Sequence, residues 1–303
     1  MNNLDLTKYI IEMYPKLIET IIYYKSHIKP ENLLIRYVLG DLYFMQWKDI
    51  SLYIENPQRT SIDSIFPPYP ESLFLSRLIT DPFGTFKFLD VGVGSGMLSI
   101  VAAKRGWNVL GIDINRRAII STYVNAKLNN VDIETELNDY KELTNRNEFQ
   151  LCIANLPFEP TPKGCTNYIH SDGGYYGDEI IIPFLKIVPE LLAEEGVAIV
   201  PTFSLLKEGV TRIEKKLNEH KDKSVDYLLI RLSKPIGLKL LFKKYEKKYF
   251  IESYKELEKE GYKKIIIELI IIKKRKSKRY KKVHYRGPYQ ETIADRKWLE
   301  PIE

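Results

Sequence analysis

Cysteine is scarce in this chain of 303 residues: Cys152 and Cys165 are the two it has. Two thiols make neither a disulfide framework nor a zinc site, and so small a number fits a reducing compartment. Long apolar runs are missing too. Ile265 to Ile272, among the longest, is interrupted by Glu268 and falls far short of the ~20 residues that cross a bilayer. Met1-Asn2-Asn3-Leu4-Asp5 lacks the basic and apolar stretches of a secretion signal, and no internal repeat is found. These absences predict a soluble, cytoplasmic protein with no metal site and no membrane association.

What is present is ordinary in amount and uneven in distribution. The apolar fraction of 44% and charged fraction of 28% suit a globular protein, and the length allows a large core. The net charge of +6 is concentrated, because lysine and arginine crowd the last third. Such a gradient points to an anionic partner more strongly than the total does.

The most informative stretch runs from Thr85 to Asp113. Phe88, Leu89 and Val91 suit a buried strand, and Gly92, Gly94 and Gly96 let the backbone turn tightly and approach a ligand closely. Met97 to Lys104 continues as a helix whose N-terminus faces whatever lies over the glycines. The next strand, Val109 to Ile112, ends in Asp113, about 20 residues after the glycines, where an open α/β sheet places a carboxylate for ribose hydroxyls. The ligand is therefore read as a nucleoside compound. A dinucleotide fingerprint puts its third glycine three residues after the second. Here Gly96 follows Gly94 by two, and Asp90 precedes the first glycine, where a carboxylate suits an ammonium group better than a pyrophosphate.

Asp90-x-Gly92-x-Gly94-x-Gly96 resembles the S-adenosylmethionine loop of class I methyltransferases. A second motif, Asn155-Leu156-Pro157-Phe158, follows the apolar strand Phe149 to Ala154. It resembles the Asn-Pro-Pro-Tyr or Asn-Pro-Pro-Phe motif of amino-directed members, with Leu156 in place of the first proline, as in the Asn-Leu-Pro-Tyr versions of ribosomal RNA adenine dimethyltransferases. Its residue types suit transfer to a planar nitrogen, whose delocalised lone pair makes it a poor nucleophile. The Asn155 side-chain carbonyl and the Leu156 backbone carbonyl can accept its hydrogens while Phe158 stacks on the plane. Two weaker likenesses point to release-factor glutamine methyltransferases: the approach Pro67-Pro68-Tyr69-Pro70-Glu71-Ser72, and Gly173-Gly174-Tyr175-Tyr176-Gly177. His170 is read as a loop residue rather than a base.

The resemblance covers residues 62–275 and implies an α/β fold: a Rossmann-like, seven-stranded, mostly parallel sheet with an antiparallel last strand at Lys264 to Ile272. It implies S-adenosyl-L-methionine as cofactor, bound by Asp90, Gly92, Val93, Gly94, Gly96, Asp113, Ile114, Asp139 and Asn155. Asn155, Leu156, Pro157 and Phe158 become the catalytic clamp. Outside it, residues 1–61 are expected to form a small helical region, from the spacing of Ile10, Tyr14, Leu17, Ile18 and Ile21 and of Leu33, Leu34, Tyr37 and Val38. Residues 276–303 are expected to be a basic tail. Lys273 to Arg286 interleaves lysine and arginine with tyrosine and suits phosphate and unpaired bases. The expected substrate is a macromolecule, RNA favoured over protein, with adenine the target. A protein glutamine amide and a non-catalytic nucleic-acid-binding module remain as alternatives.

Overall fold

The computed structural model describes residues 33–275, apart from 40–41, 57–60, 69, 144–145, 166, 221, 223, 243–244 and 246. The expected helix over residues 6–28 and the tail from residue 276 lie outside the described residues.

The described residues open with an antiparallel sheet of β1 (Leu33–Leu39), β2 (Leu42–Trp47) and β3 (Ile50–Glu55). This corrects the helical expectation for residues 31–47. Tyr43, Met45 and Trp47 are buried with Ile50, Leu52 and Ile54, a period of two that makes one face of a pleated sheet apolar. These residues share one apolar cluster with Leu98, Ile100 and Val101 of the following unit.

That unit begins with helix α1 (Pro70–Ser76), started by Pro70 as expected. Then come β4 (Lys87–Val91), α2 (Met97–Lys104), β5 (Asn108–Asp113), α3 (Arg116–Leu128), β6 (Glu134–Leu137) and β7 (Phe149–Ala154). The second half holds α4 (Ile181–Leu191), β8 (Leu192–Lys207), β9 (Val210–Thr211), α5 (Arg212–Glu219) and β10 (Val225–Arg231). It ends with β11 (Ile236–Gly237), α6 (Leu238–Phe242), α7 (Lys247–Lys259) and β12 (Lys264–Lys274). Seven strands run in the order β10-β12-β8-β7-β4-β5-β6, with β9 and β11 pairing at the side. Neighbours from β8 to β6 are parallel, whereas β12 is antiparallel to both β8 and β10. The mostly parallel sheet with its antiparallel last strand is thus observed.

One boundary differs from expectation. The sequence suggests a helix from just beyond Phe203 to His220, but β8 continues to Lys207 and α5 starts at Arg212. The apolar run of β12 requires a partner of matching length, and β8 supplies it from Val197 to Leu206. Thr211 then caps α5 by accepting the Glu214 N–H.

The exposed edge of β3 is closed by side chains of α3. Asn125 Oδ1 accepts the Tyr53 N–H at 2.7 Å and its Nδ2 donates to the Tyr53 carbonyl at 2.9 Å. One turn on, Asn129 exchanges the same pair with Ser51, at 2.9 and 2.5 Å. The spacing works because four helical residues rise about 6 Å and two strand residues span about 6.8 Å. Asn125 Nδ2 also donates to the Ser95 carbonyl at 2.9 Å, so one fully buried amide ties the N-terminal sheet to the glycine loop. Asn125→Ala strands three backbone groups without partners, and its expected cost is about 3 kcal/mol. Urea denaturation reads this as a lower midpoint with unchanged slope.

Candidate active site

The strand order places the carboxyl ends of β4, β5 and β7 side by side, and above them lies a cavity of about 930 Å³. Such a volume suits a cofactor-sized ligand with part of a second reactant.

The glycine loop leaves β4 with Gly92, Gly94 and Gly96 at φ of 78°, 55° and 83°, a region where side chains are strained. Gly92 and Val93 donate their N–H groups to the Ile112 carbonyl, pinning the loop to β5. A Cβ on Gly96 would sit 3.0 Å from the Thr122 side chain, so this glycine serves close packing of α3, and it does not line the cavity. No side chain caps α2, which leaves its first N–H groups available to an anionic group.

Asp113 ends β5 at the cavity wall. Its Oδ1 accepts the Asn115 N–H at 2.8 Å and its Oδ2 the Gly94 N–H at 3.1 Å, while burial pushes its carboxyl above the usual range. Ile114 is exposed into the same space. Asp139 lines the wall beyond β6 and accepts the Lys141 N–H at 3.0 Å, with the Lys141 ammonium 3.6 Å away. Next to it Tyr140 donates to the Ile180 carbonyl and packs edge-on against Phe184, which fixes that corner.

Asp90 sits behind the wall rather than on it. It is 1% exposed, its Oδ2 accepts the Ser99 hydroxyl at 2.7 Å, and its Oδ1 has no hydrogen-bond partner among the described residues. Burial, helped by the charge of Asp113, pushes its carboxyl up to about 7. A buried acid raised in this way costs nothing below about pH 4, where folded and unfolded chains are both protonated. The cost grows as pH rises toward 7 and is complete above it. Asp90→Asn is therefore expected to match the native protein at pH 4 and to exceed it by a few kcal/mol, about 4 at most, at pH 8. Thermal melts across that range, without ligand, check the sign.

Asn155, Leu156, Pro157 and Phe158 follow β7 and all line the cavity. A Cβ on Gly92 would meet the Asn155 carbonyl oxygen at 3.4 Å, so the glycine loop and this motif abut. The Asn155 carboxamide makes no side-chain hydrogen bond to another described residue. Leu156 is buried, and the Phe158 ring leans on Phe203 at 4.8 Å. The Gly173–Gly177 loop closes directly on this motif. Cβ atoms on Gly173 and Gly177 would lie 2.7 Å from the Phe158 carbonyl carbon and oxygen respectively, so both positions need glycine.

Two loops meet across the mouth. Ile169 N–H donates to the Ile62 carbonyl, and His170 stacks on Tyr168 at 5.1 Å and leans on Phe66 at 4.8 Å. His170 Nδ1 is also 2.8 Å from the Ser171 hydroxyl, so the ring packs within its loop while lining the cavity.

The structure adds residues that the sequence does not single out. Glu71 lines the cavity, and its burial, with Glu159 nearby, pushes its carboxyl up to about 7. Glu159, Asp172 and Glu179 lie at the same end, with Phe203 and Leu241. The paired asparagines of α3, one helical turn apart, were a visible signal; the others depend on distant parts of the chain. Among the described residues no cluster suits a metal ion.

The residues that line the cavity fit S-adenosylmethionine: open helix N–H groups beside the glycines and a carboxylate closing β5. A family model for ribosomal protein L11 methyltransferase (PrmA) matches residues 75–160. A provisionally named protein N5-glutamine methyltransferase of Methanocaldococcus jannaschii is 33% identical over 153 residues, which are 48% of this chain and 76% of that protein. A ribosomal protein L11 methyltransferase of Dictyoglomus turgidum is 38% identical over 112 residues, 36% of this chain, and the match spans only 37% of that relative. Among solved structures, M. jannaschii TYW2 in complex with AdoMet aligns over 82% of this chain and 95% of that chain, at 15% identity and a TM-score of 0.49.

Proposed function

Since the chain belongs to the class I S-adenosylmethionine-dependent methyltransferases, we propose that it methylates a planar amide nitrogen, that of a glutamine side chain in a protein. The observation that carries this reading is Asn155: its carboxamide is unengaged by other side chains and lines one cavity with the glycine loop and Asp113.

S-adenosylmethionine, when bound, would supply a methyl group on a sulfonium, from which an attacking nitrogen displaces the thioether in line. Gly92, Val93, Gly94 and the start of α2 would hold its methionine part, with Asp90 behind them. Asp113 would take the ribose, and Ile114 and Asp139 the adenine. At the other end Asn155 Oδ1 and the Leu156 carbonyl accept the two hydrogens of the target NH₂, and Phe158, backed by Phe203, stacks on its plane. Pro157 stiffens the turn between them. Holding the nitrogen in this attitude supplies most of the acceleration. The target nitrogen would have to shed a proton in the exchange. Glu71, whose carboxyl is held at about 7, is suited to take it.

The lining favours a protein over RNA. Glu71, Glu159, Asp172 and Glu179 stand at the acceptor end, and Lys141, beside Asp139, is the one lysine among the described lining residues, which include no arginine. Carboxylates so placed repel phosphodiesters and tolerate neutral or basic peptide. The M. jannaschii relative is itself named for glutamine. Adenine in RNA stands as the second reading, favoured by the basic run from Lys273 to Arg286. No helix among the described residues is long and apolar enough to cross a membrane, and a cytoplasmic site of action beside its macromolecular substrate completes the proposal.

Purified protein, incubated with methyl-labelled S-adenosylmethionine and cell extract, tests this when the products are split between ribonuclease and protease. The expected label survives ribonuclease and is released by protease. Release by ribonuclease would move the assignment to RNA, and no label despite cofactor binding would favour a small-molecule substrate or a non-catalytic module.

A further inference from the structure

Between β10 and β12 the chain inserts residues 232–263, which carry β11, α6 and α7. They form a separate apolar cluster from Leu238, Phe242, Tyr254, Leu257 and Tyr262 with Leu205 and Ile265 of the sheet. Some polar groups of this insertion bind back to the sheet, as where Lys207 Nζ donates to the Glu260 carbonyl and the Ile267 N–H to Ser233 Oγ, and another set is directed at residues 159–177, which follow the Asn-Leu-Pro-Phe motif. Ser253 Oγ accepts the Lys163 N–H at 3.0 Å, and Tyr245 Oη accepts from Asn167 Nδ2 at 2.9 Å. The Tyr175 hydroxyl donates to Glu256 at 2.9 Å. A Cβ on Gly164 would come within 3.0 Å of the Tyr249 ring, so the two segments pack without a gap.

The braced segment is the acceptor wall. Glu159, Asn167, Ile169 and Asp172 all line the cavity, as does Leu241 from the insertion itself. The hydrogen bond to Tyr245 is the shortest that the Asn167 amide group donates; its approaches to Glu159 and Thr161 are at 3.5 Å. None of the cofactor-end residues, from Gly92 to Asp139, is hydrogen-bonded to the insertion by any of these contacts.

We propose that residues 232–263 are the acceptor-selecting element of the enzyme, and that Tyr245 and Ser253 are positioning residues that set the wall opposite Asn155 without touching the reacting atoms. This rests on the reading of Asn155 to Phe158 as the acceptor clamp. The wall selects a peptide flank: apolar where Leu241 and Phe203 face the cavity, and basic where the carboxylates do.

The test uses the full-length protein, its Tyr245→Phe and Ser253→Ala variants, and three peptides that each carry one glutamine flanked by lysine, alanine or glutamate. The native protein is expected to prefer the lysine flank to the glutamate flank. In both variants kcat/KM on the lysine peptide should fall about tenfold, mostly through KM, and the preference among flanks should narrow. The dissociation constant for S-adenosylmethionine, from titration calorimetry, should stay within about twofold, and trypsin should cut after Lys163 several times faster. Unchanged kcat/KM with unchanged ranking would overturn the inference. So would a loss of cofactor binding equal to the loss of turnover, which would mark a general structural role. A native protein that labels none of the peptides would overturn the glutamine reading, and the inference with it; an active native protein with indifferent variants would overturn the inference alone.

Discussion

Replacing Asn155 by alanine is expected to lower methyl transfer by about a thousandfold while S-adenosylmethionine affinity changes by no more than about threefold. The side chain stands at the end of β7 with its carboxamide unengaged by other side chains, so its removal breaks no fold contact that these hydrogen bonds record. What would be lost is the oxygen proposed to fix the target nitrogen, and an amide nitrogen that is free to rotate presents its lone pair in line only rarely. Asn155→Asp keeps an oxygen in place and adds a charge, so a smaller loss, about a hundredfold, is expected. Single-turnover rates measure the chemical step, and calorimetry with S-adenosylhomocysteine measures the cofactor. Equal losses in both would place Asn155 at the cofactor instead of the acceptor.

Asp113→Ala is expected to weaken S-adenosylmethionine binding by about a hundredfold, the second largest effect. The carboxylate is a brace as well as the proposed ribose ligand: it holds the Asn115 N–H through Oδ1 and the Gly94 N–H through Oδ2. Its loss removes the ribose contacts and also loosens the glycine loop at Gly94. A hydrogen bond to a charged group contributes about 1.5–3 kcal/mol, so one or two of them account for the expected factor. Asp113→Asn, which keeps an acceptor, should fall between. Turnover at saturating cofactor should recover in large part, the opposite pattern to Asn155→Ala.

Much of this site was legible because its signals are local. The strand, glycine turn, helix and acid from Phe88 to Asp113 are dictated by neighbours in sequence, and α2 begins and ends where the periodicity puts it, at Met97 and Lys104. Asn155 to Phe158 could be placed because a strand must end before a proline turn at a sheet edge. The misreadings were non-local. Leu33, Leu34, Tyr37 and Val38 satisfy a helical spacing, yet Leu33–Leu39 is a strand because Leu42–Trp47 is available to pair with it. Asp90 belongs to the glycine motif by sequence, but its side chain turns into the core toward Ser99. The insertion's grip on residues 159–177 joins positions such as Lys163 and Ser253, and no periodicity records a contact across that distance.

Acid hydrolysis of the labelled product reports whether the methyl group ends on an amide nitrogen of a protein. Hydrolysis cuts a side-chain amide between carbonyl and nitrogen, so a methylated glutamine yields unlabelled glutamate and labelled methylamine. The protease-sensitive label is expected to leave as methylamine, and Asn155→Ala to abolish it. Label retained on lysine after hydrolysis, or lost to ribonuclease as methylated adenine, would contradict the amide assignment.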